Sequence, residues 1–86
     1  MSITVNTPTL YVNGLDPTIT GAMLFELFNI IGPVSSVHIP YNDITHFNFG
    51  YAYVKFQNTA DCERAFKDLN HTRIKNKPIH IHIVEI

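Results

Sequence analysis

Apolar residues recur along this chain with two different periods. Between Thr9 and Leu15 they alternate, with Leu10 and Val12 on one side and Tyr11 and Asn13 on the other. That is the pattern of a half-buried strand, and Gly14 to Pro17 closes it. From Thr20 onward the spacing becomes three and four, so Leu24, Leu27, Phe28 and Ile31 form one helical stripe. Thr20 suits the N-cap and Gly32-Pro33 supplies the stop. Val34 to Ile39 returns to alternation, with Val37 and Ile39 inward and His38 outward, and Tyr41 to Asn48 is a polar, turn-rich connection. Phe49 to Phe56 is the strongest strand signal: Ala52, Val54 and Phe56 point one way, Tyr51 and Tyr53 the other. Asn58 with Asp61 three residues on resembles a capping box and opens a second helical stripe of Cys62, Ala65, Phe66 and Leu69. Asn70 to Lys77 reads as a loop, and Ile79, Ile81 and Ile83 then alternate with His80, His82 and Val84 in a last strand.

The predicted order is therefore βαββαβ. Right-handed crossovers place both helices on one side of a four-stranded antiparallel sheet with strand order 4-1-3-2, the ferredoxin-like α+β sandwich. One sheet face packs the helices and the other stays open. Eighty-six residues with 45% apolar content make one small domain, in a size range where net stability is modest. Residues 9–86 are expected to form that domain and residues 1–8 a short N-terminal leader. The chain stops as its last strand ends, which fits a piece of a longer protein.

Charge narrows the function classes less than the pattern does. Six Lys and Arg against seven Asp and Glu give a formal charge of −1, without the net positive field usual in nucleic-acid binders. Such binding would have to rest on local arrangement. Glu26, Asp61, Glu63 and Asp68 all fall on the predicted helices, which leaves the sheet side relatively positive. Five histidines make the net charge adjustable just below neutrality, since an unperturbed imidazole titrates near pH ~6.5. No apolar stretch approaches the length needed to cross a bilayer, so the chain is expected to be soluble, without a membrane partner. The single Cys62 excludes an internal disulfide and fits a reducing compartment; the expected location is the cytoplasm, with the nucleus as a further one. There is no nucleophile motif, Gly-rich phosphate loop or convincing carboxylate pair, so neither enzymatic activity nor a cofactor is expected.

Tyr11, Tyr51 and Tyr53 share the face that the helices leave open. Two readings compete. Cross-strand aromatic packing stabilises a sheet by about 0.2 to 1 kcal/mol per pair, whereas stacking of flat ligands on exposed rings is worth roughly 1 to 3 kcal/mol per nucleobase. Lys55 has the same outward parity, and Lys75 and Lys77 stand just before the last strand, within reach of backbone phosphates. His80 and His82 share a face at a spacing that suits a metal ion, but two ligands are too few. His38 lies on the opposite edge, three strand spacings of about 4.8 Å away, so no metal site is expected. Imidazoles also stack on bases or hydrogen-bond to them. Phe47 and Phe49 fit three roles equally: extending the stacking surface, covering the edge of the core, or docking a protein.

Leu10-Tyr11-Val12-Asn13-Gly14-Leu15 and the octamer Phe49 to Phe56 resemble the two ribonucleoprotein motifs of the RNA-recognition motif family, and the resemblance spans nearly the whole chain. A closer likeness is to the first such domain of cytoplasmic poly(A)-binding proteins. It is carried by Ala22-Met23-Leu24, Phe28, Gly32-Pro33, Ile44-Thr45, Gly50-Tyr51-Ala52-Tyr53-Val54, Glu63-Arg64-Ala65 and Lys77-Pro78. The resemblance implies that Tyr11, Tyr51 and Tyr53 each stack on a base, that the ligand is an adenine-rich single strand or poly(A), and that the helical side meets a translation initiation scaffold. The chain departs from the family in its charges. Phe49 stands where the octamer usually begins with a basic residue, and His46 and Phe47 replace paired arginines. His38 and His80 replace outward arginines, Asn42 replaces an acidic residue, and Ile83 replaces an aromatic one.

The expected function is thus single-stranded RNA binding on Tyr11, Tyr51 and Tyr53, with polar contacts from Asn13, Lys55, His80 and His82. His38, Asn42, Phe49, Lys75 and Lys77 are further candidate contacts. The alternative is a protein-interaction domain that uses its helical face or Phe47 and Phe49.

Overall fold

In the computed structural model, which describes residues 8–84, main-chain pairing joins four strands into one antiparallel sheet. The elements run β1 (Thr9–Asn13), α1 (Gly21–Asn29), β2 (Val34–His38), β3 (Tyr51–Phe56), α2 (Thr59–Leu69), β4 (Arg73–Ile74), β5 (Lys77–Pro78) and β6 (His80–Val84). The sheet order is β2-β3-β1-β6. Counted among the four sheet strands alone, this is the expected 4-1-3-2 read from the other edge. Of the expected leader, residues 1–7 lie outside the described residues.

Strand parity builds the core as the sequence pattern requires. Leu10 pairs with Val54 and Val12 with Ala52, and all four are fully buried, as are Ile79, Ile81 and Phe56. Above them, α1 contributes Leu24 and Phe28 and α2 contributes Cys62 and Ala65, with Leu15 and Ile19 closing one end. Phe28 meets Phe56 edge-on at 6.2 Å. Helix α1 packs on β2 and β3, and α2 on β6, β3 and β1, so one sheet face carries no helix. An extra residue in β2 shifts the register between Val34 and Ser36, which turns Val34 inward opposite Phe56 while Ser36 stays outward beside Lys55. Ile83 has inward parity but lies on an edge strand and is 40% exposed.

The helix starts differ from each other. Thr20 Oγ1 accepts from the Met23 N–H at 3.2 Å, as its position predicts. Asn58 is the N-cap of α2, yet the expected capping box does not form: its side chain makes no cap hydrogen bond. Instead Asn58 Nδ2 donates to Asp61 at 3.2 Å. Aspartate is a methylene shorter than the glutamate this motif uses, and Arg64 also claims it in an ion pair at 3.2 Å.

The segment expected as a loop, Asn70 to Lys77, carries a two-stranded hairpin, with Arg73 opposite Pro78 and Ile74 opposite Lys77. Its turn residues Lys75 and Asn76 both have positive φ, 53° and 67°, the geometry of a type I′ turn. Among the described residues, no helix is long and apolar enough to cross a membrane.

Candidate nucleic-acid interface

Register assembles the open face into three rows. His38 on β2 stands opposite Tyr53 on β3, Tyr53 opposite Tyr11 on β1, and Tyr11 opposite His82 on β6. This His-Tyr-Tyr-His row crosses all four strands. On one side of it lies Tyr51, Asn13 and His80, and on the other Ser36, Lys55, Thr9 and Val84. Each outward residue sits two positions from the next along its strand, so the side chains that bury Leu10, Val12, Ala52 and Val54 beneath also force the tyrosines up.

The three rings form a connected cluster. Tyr11 lies 5.3 Å from Tyr53 and 6.0 Å from Tyr51, centroid to centroid, and Tyr51 meets Tyr53 edge-on at 6.2 Å. The His82 ring extends it, 6.1 Å from Tyr11. These separations fall in the range of favourable aromatic pairs. These ring contacts hold each tyrosine in place, and Tyr53 remains 38% exposed with Tyr11 and Tyr51 half-buried. His38, His80 and His82 are exposed and Lys55 and Asn13 half-buried on the same surface.

The chain reaches this face through a built corner. Asn48 is buried and spends its side chain on three hydrogen bonds: Nδ2 donates to the Asp16 and Ile19 carbonyls at 2.8 and 2.9 Å, and Oδ1 accepts from the Gly50 N–H at 2.6 Å. Gly50 has φ +95° with open space where a Cβ would be, so glycine is needed there for backbone conformation. Its carbonyl accepts from Leu15 N–H at 3.1 Å, which ties the start of β3 to the end of β1. Asn48 was not among the residues that sequence reasoning singled out. Its signal, an Asn in a polar loop two residues before a glycine, is common to many turns.

The same turn removes Phe49 from the strand. Although it has outward parity in the sequence, Phe49 precedes β3 and stands 59% exposed beyond the positive-φ glycine. Phe47 is 51% exposed in the preceding loop. Asn42 organises that loop, its Oδ1 accepting from Ile44 N–H at 2.8 Å and Thr45 N–H at 3.0 Å. Lys75 points to the other side of the domain, where its Nζ donates to Thr18 Oγ1 at 2.6 Å and it lines a groove beside α1 with Met23 and Ile30. Lys77 sits in the hairpin near Asp16. Hydrogen bonds from the Thr18 hydroxyl and N–H hold the Asp16 carboxyl below the usual range, aided by the positive charges of Lys75 and Lys77.

Beyond β6, His71 meets His80 edge-on at 5.2 Å, a contact the loop assignment gave no reason to expect. No group of three or more His, Cys, Asp or Glu gathers in metal-binding geometry among the described residues. Cys62 is buried in the core, and burial, with Glu63 nearby, pushes its thiol up. The exposed carboxylates Glu26, Glu63 and Asp68 lie on the two helices, whereas the three rows of the open face hold none.

Comparison with known proteins agrees with this surface. The sequence profile described as the RNA recognition motif matches residues 10–80. RNA recognition domains 1 and 2 of Sex-lethal from Drosophila melanogaster are 36% identical, with a TM-score of 0.81, over 86% of this chain and 47% of that one. A second structure, an Sxl-lethal protein/RNA complex, is 33% identical with a TM-score of 0.84, over 91% and 47% of the respective chains. The chain thus spans about half the length of these two. The Rna15 RNA-recognition domain with bound RNA (GU) shares the fold, with a TM-score of 0.85 at 18% identity over 88% of this chain and 81% of that one. With its profile match across most of the chain, its sheet order and its paired motifs on the two central strands, this chain belongs to the RNA recognition motif family.

Proposed function

We propose that this domain binds single-stranded RNA by stacking bases on Tyr11, Tyr51 and Tyr53. The observation that carries this reading is the ring cluster itself, three tyrosines with centroids 5.3 to 6.2 Å apart on the face no helix covers. Among similar structures are an Sxl-lethal protein/RNA complex and the Rna15 domain with bound RNA (GU), and the family is one of binding modules rather than enzymes. At roughly 1 to 3 kcal/mol per stacked base, two or three bases support micromolar affinity with few phosphate contacts. Asn13, Lys55, His80 and His82 supply polar contacts from the same rows, with His38 at the β2 edge. No cofactor takes part.

An adenine-rich strand is the proposed ligand on the strength of the likeness to poly(A)-binding proteins, and that likeness also proposes a translation scaffold as partner for the helical side. Cytoplasmic, and also nuclear, residence is proposed from the lone Cys62. Exposed Phe47 and Phe49 favour the alternative of protein recognition. Titration with a single-stranded oligoadenylate, followed by chemical-shift mapping, separates the two. Shifts centred on Tyr11, Tyr51 and Tyr53 support RNA binding. Silence there at millimolar RNA overturns it.

A further inference from the structure

One end of the open face is hollowed. Thr9, Ser36, His38, Tyr53, Lys55 and Val84 surround a depression of about 350 Å³, bounded on one side by the Tyr53 ring and floored by the Ser36-Lys55-Thr9 row. Lys55 follows Tyr53 by two residues on β3, so its stem rises about 7 Å along the strand from the ring. A base stacked on Tyr53 therefore turns an edge toward Lys55 and Ser36. Among the described residues, the side chains of Lys55, Ser36 and His38 make no hydrogen bond or ion pair with the protein.

The chemistry of that rim is lopsided. A lysine ammonium offers three donors and no acceptor; a hydroxyl and a neutral imidazole each offer one donor with some acceptor capacity. Among the described residues, no Asp, Glu, Asn or Gln lines the hollow. An amino group at the 4- or 6-position of the base, N6 of adenine or N4 of cytosine, finds no carboxylate or amide oxygen from these described side chains. A carbonyl in the same place, O4 of uracil or O6 of guanine, meets an ammonium directly, and guanine adds N7 beside O6 as a second acceptor for it.

Resting on the RNA-binding reading, we infer that the Tyr53 position selects a base with a carbonyl at its 4- or 6-position, uracil or guanine, through Lys55 with Ser36 beside it. The strand this domain takes up is then adenine-rich with a carbonyl base at one place. Lys55 acts on the base edge rather than on a phosphate.

The test uses hexaadenylate and hexanucleotides in which one adenosine at a time is replaced by uridine or guanosine, each titrated against the wild-type protein, Lys55→Met, Lys55→Arg and Ser36→Ala. Replacement at one position is expected to tighten wild-type binding by roughly tenfold. Lys55→Met is expected to erase that preference, weakening the strands that carry uridine or guanosine at that place by more than it weakens hexaadenylate; Lys55→Arg retains the preference and Ser36→Ala weakens it. If all hexanucleotides bind equally, or hexaadenylate binds best, the inference fails while RNA binding stands. If Lys55→Met weakens every sequence alike and lowers the salt slope by about 0.7, Lys55 is a phosphate contact and the inference also fails. If nothing binds, the RNA-binding reading fails with it.

Discussion

Tyr51 and Tyr53 on β3 and Phe47 and Phe49 in the loop before it are exposed aromatic residues in one stretch of chain, but different forces fix them. The tyrosines are held by a ladder: each is paired across β1, Tyr53 stands between buried Ala52 and Val54 and Tyr51 next to Ala52, and each touches another ring. The phenylalanines are held by a turn, in which Asn42 and Asn48 satisfy the backbone and leave both rings facing solvent. Phe49 and Tyr51 are two residues apart and would share a face on any regular strand. Gly50, at φ +95°, separates them. Alternation fixes the face a ring takes only where the ladder that enforces it is present.

The difference is testable by asking which rings the ligand needs. Tyr11→Ala and Tyr53→Ala should each cost about 1 to 3 kcal/mol of RNA affinity by fluorescence titration, with little change in the urea unfolding midpoint. Removing the corner that keeps the two regions apart comes next. Asn48→Ala removes a donor from the Asp16 and Ile19 carbonyls and the acceptor of the Gly50 N–H, and should lower stability by about 2 kcal/mol in urea denaturation.

A smaller effect concerns the rim of the tyrosine rows. His38, His80 and His82 are exposed, His38 beside Lys55 and His80 beside His71, and the described rows hold no carboxylate. Replacing His38, His80 and His82 together by alanine should weaken RNA binding severalfold by fluorescence titration. An unchanged affinity would remove histidine from the interface. Phe49→Ser should have the smallest effect, leaving RNA affinity within about twofold, as befits a residue outside the ladder. A loss equal to that of Tyr53→Ala would erase the distinction between the two regions.

Much of this was legible in residue order because strands advertise both faces. Leu10 and Val12 below, with Tyr11 and Asn13 above, define β1 and its orientation at once, and the stripes of α1 and α2 leave only one face open. Other features had no local signature. The β4–β5 hairpin consists of two-residue strands, too short for periodicity, and one ends in Pro78. The alignment of His38 with Tyr53 and of Ser36 with Lys55 depends on register and on the irregularity between Val34 and Ser36. Asn48 works through carbonyls 29 and 32 residues away, which no pattern near it could reveal.

The most direct measurement is the set of intermolecular nuclear Overhauser effects between a bound single strand and the protein. Base protons in contact with the ring protons of Tyr11, Tyr51 and Tyr53 are the predicted result. Contacts confined to Phe47 and Phe49, or to the exposed faces of α1 and α2, would contradict the account.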